Sequence, residues 1–139
     1  MKPENISKLQ SEFPNLFPNR WSLPSCGDGW FDIVYKICTE ISLYLNAPIN
    51  KKIKEKFYVT QIKEKFGSLC FYVCLSEPTI DVIIDKHELL SFDTCEECGA
   101  SHAEMYSRRG WLKTICQSCA DRIGNYKKYD KSILFKGHE

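Results

Sequence analysis

The chain has 139 residues, of which 43% are hydrophobic, only six are proline and seven are glycine. This composition excludes collagen-like, low-complexity and disordered chains, and the length is that of one ordinary domain. No stretch of the sequence approaches the ~20 apolar residues of a membrane span, and its start has no apolar run typical of a signal peptide. We therefore expect a cytoplasmic protein with no membrane partner.

The net charge of +1 conceals three segments of opposite sign. Residues 50–65 contain six lysines and two glutamates, and residues 76–104 contain eight acidic residues and one lysine. Residues 105–139 contain eight basic and three acidic residues. Segregated charge steers association with complementary partners. The pattern is therefore consistent with a macromolecular partner.

The first third of the chain predicts two helices separated by a loop. A short helix is expected over residues 3–13, beginning with a proline and ending before another. Residues 15–29 are rich in proline, glycine, asparagine and serine, and predict an extended loop pinned by Phe17 and Trp21. From residue 30 to 45, apolar residues recur at three- and four-residue steps, which predicts a long helix facing the main core.

The middle of the chain predicts a β-hairpin. A lysine-rich turn is expected over residues 50–56, and residues 57–75 are rich in β-branched and aromatic residues. Gly67 lies where the hairpin must turn and supplies the backbone freedom needed there. Residues 79–92 fit either a strand or a helix, and we favour the helix because Thr79 can cap it and an acid follows in its first turn.

Four of the eight cysteines have the spacing of a metal site. Two Cys-x-x-Cys pairs are separated by seventeen residues, and the predicted ligands are Cys95, Cys98, Cys116 and Cys119. In a reducing cytoplasm such pairs bind metals more often than they form disulfides. Four thiolates complete the coordination of zinc, so the sequence predicts one structural zinc ion rather than a catalytic one. A redox role for the first pair is disfavoured, because the two acids between its thiols oppose thiolate formation.

The segment between the pairs predicts a hairpin with its turn at Arg109-Gly110, and a helix is expected after the second pair. A knuckle, a hairpin and a helix in this order resemble the treble-clef class of zinc module, with a zinc ribbon as the alternative. Neither class implies a single function.

The other thiols and imidazoles have no ligand spacing of this kind. We expect Cys26, Cys38, Cys70 and Cys74 to be free thiols, largely buried. His87 is expected on a helix surface. His102 lies near the metal in sequence and could replace a cysteine ligand or orient one.

The sequence contains parts of the signatures of two enzyme classes. His102-Ala-Glu104 followed by Cys116-x-x-Cys119 has the outline of a zinc deaminase signature, with the glutamate as proton shuttle. Only eleven residues separate Glu104 from Cys116, however, and the first cysteine pair would be left without a role. A histidine-dependent nuclease needs further ligands for a second metal, and only one histidine is nearby. The sequence therefore favours a non-enzymatic function over either enzyme class.

We favour the hypothesis that the protein binds a macromolecule. Basic and aromatic residues are interleaved near the two predicted hairpin turns, as in phosphate-binding and base-stacking surfaces. A neighbouring acidic stretch would repel a polyanion, which narrowly favours a protein partner over nucleic acid. The candidate contact residues are Lys63, Lys65, Phe66, Arg108, Arg109 and Trp111.

Three stretches together carry a resemblance to a known group of proteins. They are Gly29-Trp30-Phe31-Asp32, Lys63-Glu64-Lys65-Phe66-Gly67, and Cys95-Glu96-Glu97-Cys98-Gly99 with Cys116-x-x-Cys119. The pattern resembles small uncharacterised zinc-binding proteins of bacteriophages and prophages, over roughly residues 28–119. In that group an arginine commonly occupies the position of Cys70 and a glycine that of Ser68. The resemblance implies a phage or prophage origin and the cytoplasm of a bacterial host, but no activity.

These observations predict an α+β fold in which a long helix packs on a β-hairpin or small antiparallel sheet. We expect an α+β core with an N-terminal helix and loop over residues 1–92, and a zinc-binding module with a C-terminal helix over residues 93–139. The predicted function is non-enzymatic binding of a host macromolecule, with protein favoured slightly over DNA or RNA.

Overall fold

The computed structural model describes residues 1–129, which combine α-helices with small antiparallel sheets. The α-helices are α1 (Pro3–Glu12), α2 (Phe31–Asn46), α3 (Lys51–Lys56), α4 (Pro78–Glu88) and α5 (Gln117–Ile123). The strands are β1 (Val59–Lys65), β2 (Ser68–Val73), β3 (Glu104–Arg108), β4 (Trp111–Ile115) and β5 (Lys127–Lys128). Short 3-10 turns occupy Arg20–Ser22, Asp28–Trp30, Pro48–Asn50 and Leu89–Phe92.

Strands β1 and β2 form the predicted hairpin. Lys65 pairs with Ser68 at its end, so a two-residue turn connects the strands. Phe66 and Gly67 occupy that turn with φ values of 52° and 83°. Two consecutive positive φ values match the right-handed twist of a hairpin, and glycine adopts the second without strain. The other sheet has the order β4-β3-β5, with both pairings antiparallel.

The main core lies between α2, α4 and the β1–β2 hairpin. One face of α2 is buried, as its three- and four-residue periodicity predicts, and it packs against α4, which also contacts β2. The buried residues of α2 are Ile33, Val34, Ile37, Cys38, Ile41 and Leu45. They share one apolar cluster with Ile62, Leu69 and Phe71 of the hairpin and with Ile80, Ile83 and Ile84 of α4. The long helix and the hairpin therefore contribute to the same core.

A second, smaller apolar cluster lies between the cysteines and the β3–β4 hairpin. Its buried residues are Cys95, Ala103, Tyr106, Ile115, Cys119 and Ala120. So few apolar side chains supply little burial energy, and small modules of this size usually need a metal or disulfides for stability. The division into residues 1–92 and 93–139 stays a prediction, and residues 130–139 lie outside the described part.

The helices expected near residues 3–13, 30–45 and 79–92 are confirmed as α1, α2 and α4. The prediction of a lysine-rich turn over residues 50–56 was wrong, because most of this segment forms α3. Asn50 is buried just before α3, and its side-chain amide donates to the carbonyl of Tyr44 at 2.7 Å. This hydrogen bond fixes the direction in which the chain leaves α2.

Two expectations about single side chains were also wrong. Trp21 does not pin the loop, because it lies in a 3-10 turn and is 88% exposed, whereas Phe17 is buried as expected. His87 does not lie on a helix surface, because α4 packs against α2 and brings its Nε2 into a hydrogen bond with Oε2 of Glu40. Local sequence carries no signal for the exposure of Trp21 or for the contact of His87 with Glu40.

Candidate metal centre

The first cysteine pair lies in a tight turn that follows α4 and its 3-10 extension. The Cys95 N–H donates to the carbonyl of Ala100 at 2.8 Å, and the Gly99 N–H donates to the carbonyl of Cys95 at 2.9 Å. Gly99 has a φ of 83°, in the left-handed region that favours glycine. The Cys98 N–H lies 3.5 Å from the Cys95 sulfur. This turn over residues 95–99, called the knuckle below, directs a backbone amide at a sulfur.

The second pair is positioned by β4 and α5. Cys116 follows β4 directly and precedes α5, and Cys119 is buried in the first turn of that helix. The Tyr106 hydroxyl of β3 donates to the side-chain oxygen of Gln117 at 2.9 Å. The hairpin and the helix are therefore held together on the side that carries the sulfurs.

The four sulfur atoms converge on one point. All lie within 4.8 Å of one another, and the sulfurs of Cys98 and Cys116 are 3.6 Å apart. Cys95 and Cys119 are buried, Cys116 is half-buried and Cys98 is exposed. One metal ion could contact all four, and four sulfur ligands in a tetrahedral site leave no position for water or substrate.

The thiols differ in their readiness to ionise. The backbone N–H of Cys119 lowers the pKa of Cys116 to about 7 despite partial burial. Burial raises the pKa of Cys119 itself to about 12. Four thiolates this close together repel one another, and a divalent cation offsets that repulsion. Metal coordination also deprotonates thiols outright. The donor set therefore fits a divalent metal that prefers sulfur.

The two acids between the first pair have a structural role that the sequence did not reveal. Lys113 of β4 places its Nζ 3.3 Å from Oε1 of Glu96 and 2.8 Å from Oε1 of Glu97. Arg122 of α5 lies 3.9 Å from Oε2 of Glu97. These ion pairs hold the hairpin and α5 against the knuckle. Only the tertiary arrangement brings these partners together, so local sequence carries no signal for them.

The knuckle is also joined to the start of α2. The Gly27 N–H donates to Oε2 of Glu96 at 2.9 Å, and the Gly29 N–H donates to the Glu96 carbonyl at 2.7 Å. The buried indole of Trp30 donates to the carbonyl of Thr94 at 2.8 Å. A Cβ on Gly29 would overlap the backbone of the knuckle. This contact gives a physical reason for the glycine and tryptophan of the Gly29-Trp30-Phe31-Asp32 stretch.

His102 does not take part in the cysteine cluster. It is exposed with a φ of 61°, and Glu104 is exposed with its carboxylate 2.8 Å from Nζ of Lys128. Within residues 1–129, no other group of three or more histidine, cysteine or acidic side chains converges as these cysteines do. The arrangement of His102 and Glu104 that a deaminase requires is therefore not formed.

The remaining cysteines occupy packing positions to different degrees. Cys26 and Cys38 are buried, and burial raises the pKa of both thiols, that of Cys26 to about 12. Cys70 and Cys74 are half-buried, and the Cys74 sulfur lies 3.3 Å from the Tyr58 nitrogen. The expectation of buried thiols is thus confirmed for the first two and only approximate for the others.

The predicted contact residues fall on two hairpins that touch. The Thr114 hydroxyl of β4 donates to the carbonyl of Gly67 at 2.5 Å, which joins the two hairpins. Phe66, beside Gly67, is 73% exposed, and Nζ of Lys65 lies 5.8 Å from the centre of the Phe66 ring. Lys63 lies 5.9 Å from the ring centre of the exposed Tyr72. This hairpin therefore presents lysines together with accessible aromatic rings.

The other three contact residues meet at the tip of the β3–β4 hairpin. An open depression of about 330 Å³, here called the tip pocket, is lined by Arg108, Arg109, Trp111 and Asn125. Trp111 is 76% exposed. Three of these four residues are among the predicted contact residues, and Asn125 was not predicted because it comes from the segment after α5.

None of the helices described in residues 1–129 has the length and apolar character needed to cross a membrane. Comparison with protein-family models, with curated proteins and with solved structures gives no match for this chain.

Proposed function

We propose that this chain is a non-enzymatic binding protein, of the type encoded by bacteriophages and prophages, that holds one structural zinc ion and binds a host macromolecule in the bacterial cytoplasm. A protein partner is favoured over nucleic acid. The observation that carries the proposal is the convergence of four cysteine sulfurs at the base of a hairpin whose tip presents an exposed tryptophan.

Zinc fits the sulfur cluster in geometry and in chemistry. Zinc–sulfur bonds of about 2.3 Å in a tetrahedron place the sulfurs about 3.8 Å apart. The 3.6 Å between the sulfurs of Cys98 and Cys116, and the 4.8 Å limit for the whole set, are close to that spacing. The knuckle, the β3–β4 hairpin and α5 follow in the order of a treble clef. A zinc ribbon is the less fitting alternative, because Cys119 lies on a helix.

A structural role for the metal favours binding over catalysis. Four thiolates fill the coordination sphere, so the ion offers no position for an attacking water. His102 and Glu104, the candidates for deaminase chemistry, lie outside the cluster. The metal would then stabilise the hairpin as a rigid support for surface side chains, which lowers the entropic cost of binding.

The pattern of charge pairing supports a protein partner. Lys113, Arg122 and Lys128 each lie within ion-pair distance of a carboxylate of the same module. Their charges are therefore largely neutralised and contribute little to phosphate binding. Exposed tryptophan and phenylalanine side chains such as Trp111 and Phe66 are typical anchors of protein interfaces.

Nucleic acid is the second candidate, and the tip pocket is the observation that favours it. Two arginines beside an exposed indole can hold a phosphate and stack a base. Such binding would weaken steeply with added salt, because cations released from the nucleic acid drive it.

A pull-down from host lysate, with and without nuclease, distinguishes the two candidates. The zinc-loaded chain should retain a host protein after nuclease treatment. The double variant Phe66→Ala with Trp111→Ala should reduce that retention at least about tenfold, because buried aromatic anchors each contribute about 2 kcal/mol or more. Trp21→Ala is the matched control, since Trp21 is a highly exposed tryptophan outside the two hairpins. Retention lost to nuclease would favour nucleic acid, and no retained protein would contradict the proposal.

A further inference from the structure

The tip pocket is assembled from two separate segments of the chain. Arg108 ends β3, Arg109 lies in the turn, and Trp111 begins β4. Asn125 follows α5, and it reaches the hairpin because β5 pairs with β3, with Lys127 opposite Ser107. Four side chains with complementary binding chemistry thus meet in one open depression.

Two features hold the pocket in place before any ligand binds. The Arg108 guanidinium lies 4.6 Å from the ring centre of Tyr126, close enough for a cation–π contact. Arg109 and Asn125 have φ values of 51° and 65°, a conformation that residues other than glycine rarely adopt. The Arg108 side chain, already placed on Tyr126, therefore loses less entropy on binding, and the backbone at Arg109 and Asn125 has a defined conformation.

Among residues 1–129, no carboxylate is paired with the arginines of the tip pocket. None of its four lining residues is acidic. Within residues 1–129, neither Arg108 nor Arg109 has a carboxylate within the 4.0 Å of an ion pair, whereas Lys113 and Lys128 nearer the metal do have one. Within the described part of the chain, both guanidinium groups are therefore free of ion pairs and can receive an anion from a partner.

We propose that the tip pocket binds an acidic side chain of a partner protein, with an adjoining apolar side chain packed on the ring of Trp111. This inference rests on the proposed function and specifies the chemistry of the partner. A guanidinium group binds a carboxylate through two parallel N–H donors. The amide of Asn125 adds a further donor, and the exposed indole supplies the apolar contact.

An acidic protein segment fits this pocket better than a nucleic acid strand. A strand needs a groove of cations that follows several phosphates. Here the unopposed arginines form one compact group, and Lys113, Arg122 and Lys128 already lie within ion-pair distance of a carboxylate. A single carboxylate needs only that one group, whereas a strand would need further free cations along its path.

The test uses the full, zinc-loaded chain labelled with nitrogen-15. Its amide and indole resonances are followed while a Gly-Glu-Leu-Asp-Phe-Gly peptide, acetylated at its N-terminus and amidated at its C-terminus, is added. A Gly-Gln-Leu-Asn-Phe-Gly peptide with the same blocked ends keeps the shape and removes the charge. A thymidine oligonucleotide of about twelve nucleotides tests the other class of partner at the same salt concentration. The Trp111 indole resonance is assigned with the variant Trp111→Phe.

The acidic peptide should shift the indole resonance of Trp111 and the backbone amide resonances of Arg109 and Asn125, and these shifts should saturate as peptide is added. The uncharged peptide and the variant Arg109→Gln should each bind at least about tenfold more weakly, which is the loss of one charge-assisted contact. Arg20→Gln is the matched control and should have no effect, because Arg20 is exposed beside the exposed Trp21 outside the pocket.

Two results would overturn the inference. If the resonances of the pocket residues do not respond to the acidic peptide, the tip pocket is not a binding site for acidic side chains. Tighter binding of the oligonucleotide than of the peptide at this pocket would assign it to nucleic acid. In either case a host protein that is retained after nuclease, and whose retention depends on Phe66 and Trp111, would still support the proposed function. The two proposals can therefore fail separately.

Discussion

The carboxylate of Glu96 accepts a hydrogen bond from the backbone N–H of Gly27 at 2.9 Å, and so joins the cysteine knuckle to the segment that leads into α2. Glu96 is only 4% exposed, and its other carboxylate oxygen lies 3.3 Å from Nζ of Lys113. One buried acid thus connects the main core, the knuckle and β4. A buried charge is stabilising only while its partners are present.

Replacing Glu96 by alanine should destabilise the folded chain by about 2 kcal/mol, because it leaves the Gly27 N–H without its acceptor and weakens the pairing of Lys113. Glu97→Ala is the matched control. Glu97 is more exposed and forms ion pairs at the surface, so its loss should cost less than about 1 kcal/mol. Urea unfolding of the zinc-loaded variants measures both values, and equal losses would contradict the assignment of Glu96 as the connecting residue.

A methyl group added at Gly29 should disturb the metal centre. The alanine Cβ would overlap the backbone at Cys95 and Gly99, so Gly29→Ala should cost about 1–3 kcal/mol and weaken zinc binding in competition with a chelator. Gly110→Ala is the control, since Gly110 has a φ of 84° but no neighbouring atoms within 4 Å. It should lower stability by about 1 kcal/mol through backbone strain and leave zinc affinity unchanged. Unchanged zinc affinity in Gly29→Ala would refute the coupling of this contact to the site.

The parts of the fold that were predicted correctly depend on local patterns. The helix α2 follows from apolar residues at three- and four-residue steps, and the β1–β2 turn follows from Gly67. The convergence of the four cysteines was predictable from their spacing, because two Cys-x-x-Cys pairs at this separation are typical of one metal site. These signals lie within short stretches of the chain.

The parts that were missed depend on contacts between distant segments. His87 is buried beside Glu40 of α2, and the helix α3 follows a hydrogen bond of the buried Asn50. Asn125 enters the tip pocket only because β5 pairs with β3. Residue periodicity within one element carries no information on such partners.

Two glutamates should affect the pH dependence of stability with opposite signs. Hydrogen bonds from Lys86 and His87 hold the pKa of Glu40 below its ordinary value of 4.5, so its contribution is present above that pH and lost as the pH falls through the folded pKa. Burial raises the pKa of Glu88, although the Phe71 N–H opposes this shift. The ionised Glu88 therefore lowers stability at neutral pH, and this cost disappears as the pH falls below 4.5.

Glu40→Gln should consequently lower stability at pH 7, and Glu88→Gln should raise it, because a glutamine oxygen still accepts the hydrogen bond from Phe71. Both differences from the wild type should shrink towards pH 4. Urea unfolding at a series of pH values measures them, and comparison between variants cancels the loss of zinc that all chains share at low pH. Differences of the same sign at pH 7 would contradict these assignments.

Removal of the metal should unfold the C-terminal module before the main core. The apolar cluster around Tyr106 and Ile115 is small, whereas the cluster shared by α2, α4 and the β1–β2 hairpin is large. Hydrogen exchange after chelation should therefore accelerate in β3, β4 and α5 and change less in α2. Uniform acceleration across both clusters would instead indicate one cooperative unit.

The four sulfurs of Cys95, Cys98, Cys116 and Cys119 converge, and we propose that they bind one zinc ion. X-ray absorption spectroscopy at the zinc edge, on material with measured metal content, identifies both the metal and its ligands. We predict about one zinc per chain, surrounded by four sulfur atoms at about 2.3 Å. Absence of bound metal after purification without chelators, or a first shell that contains nitrogen or oxygen ligands, would contradict the account.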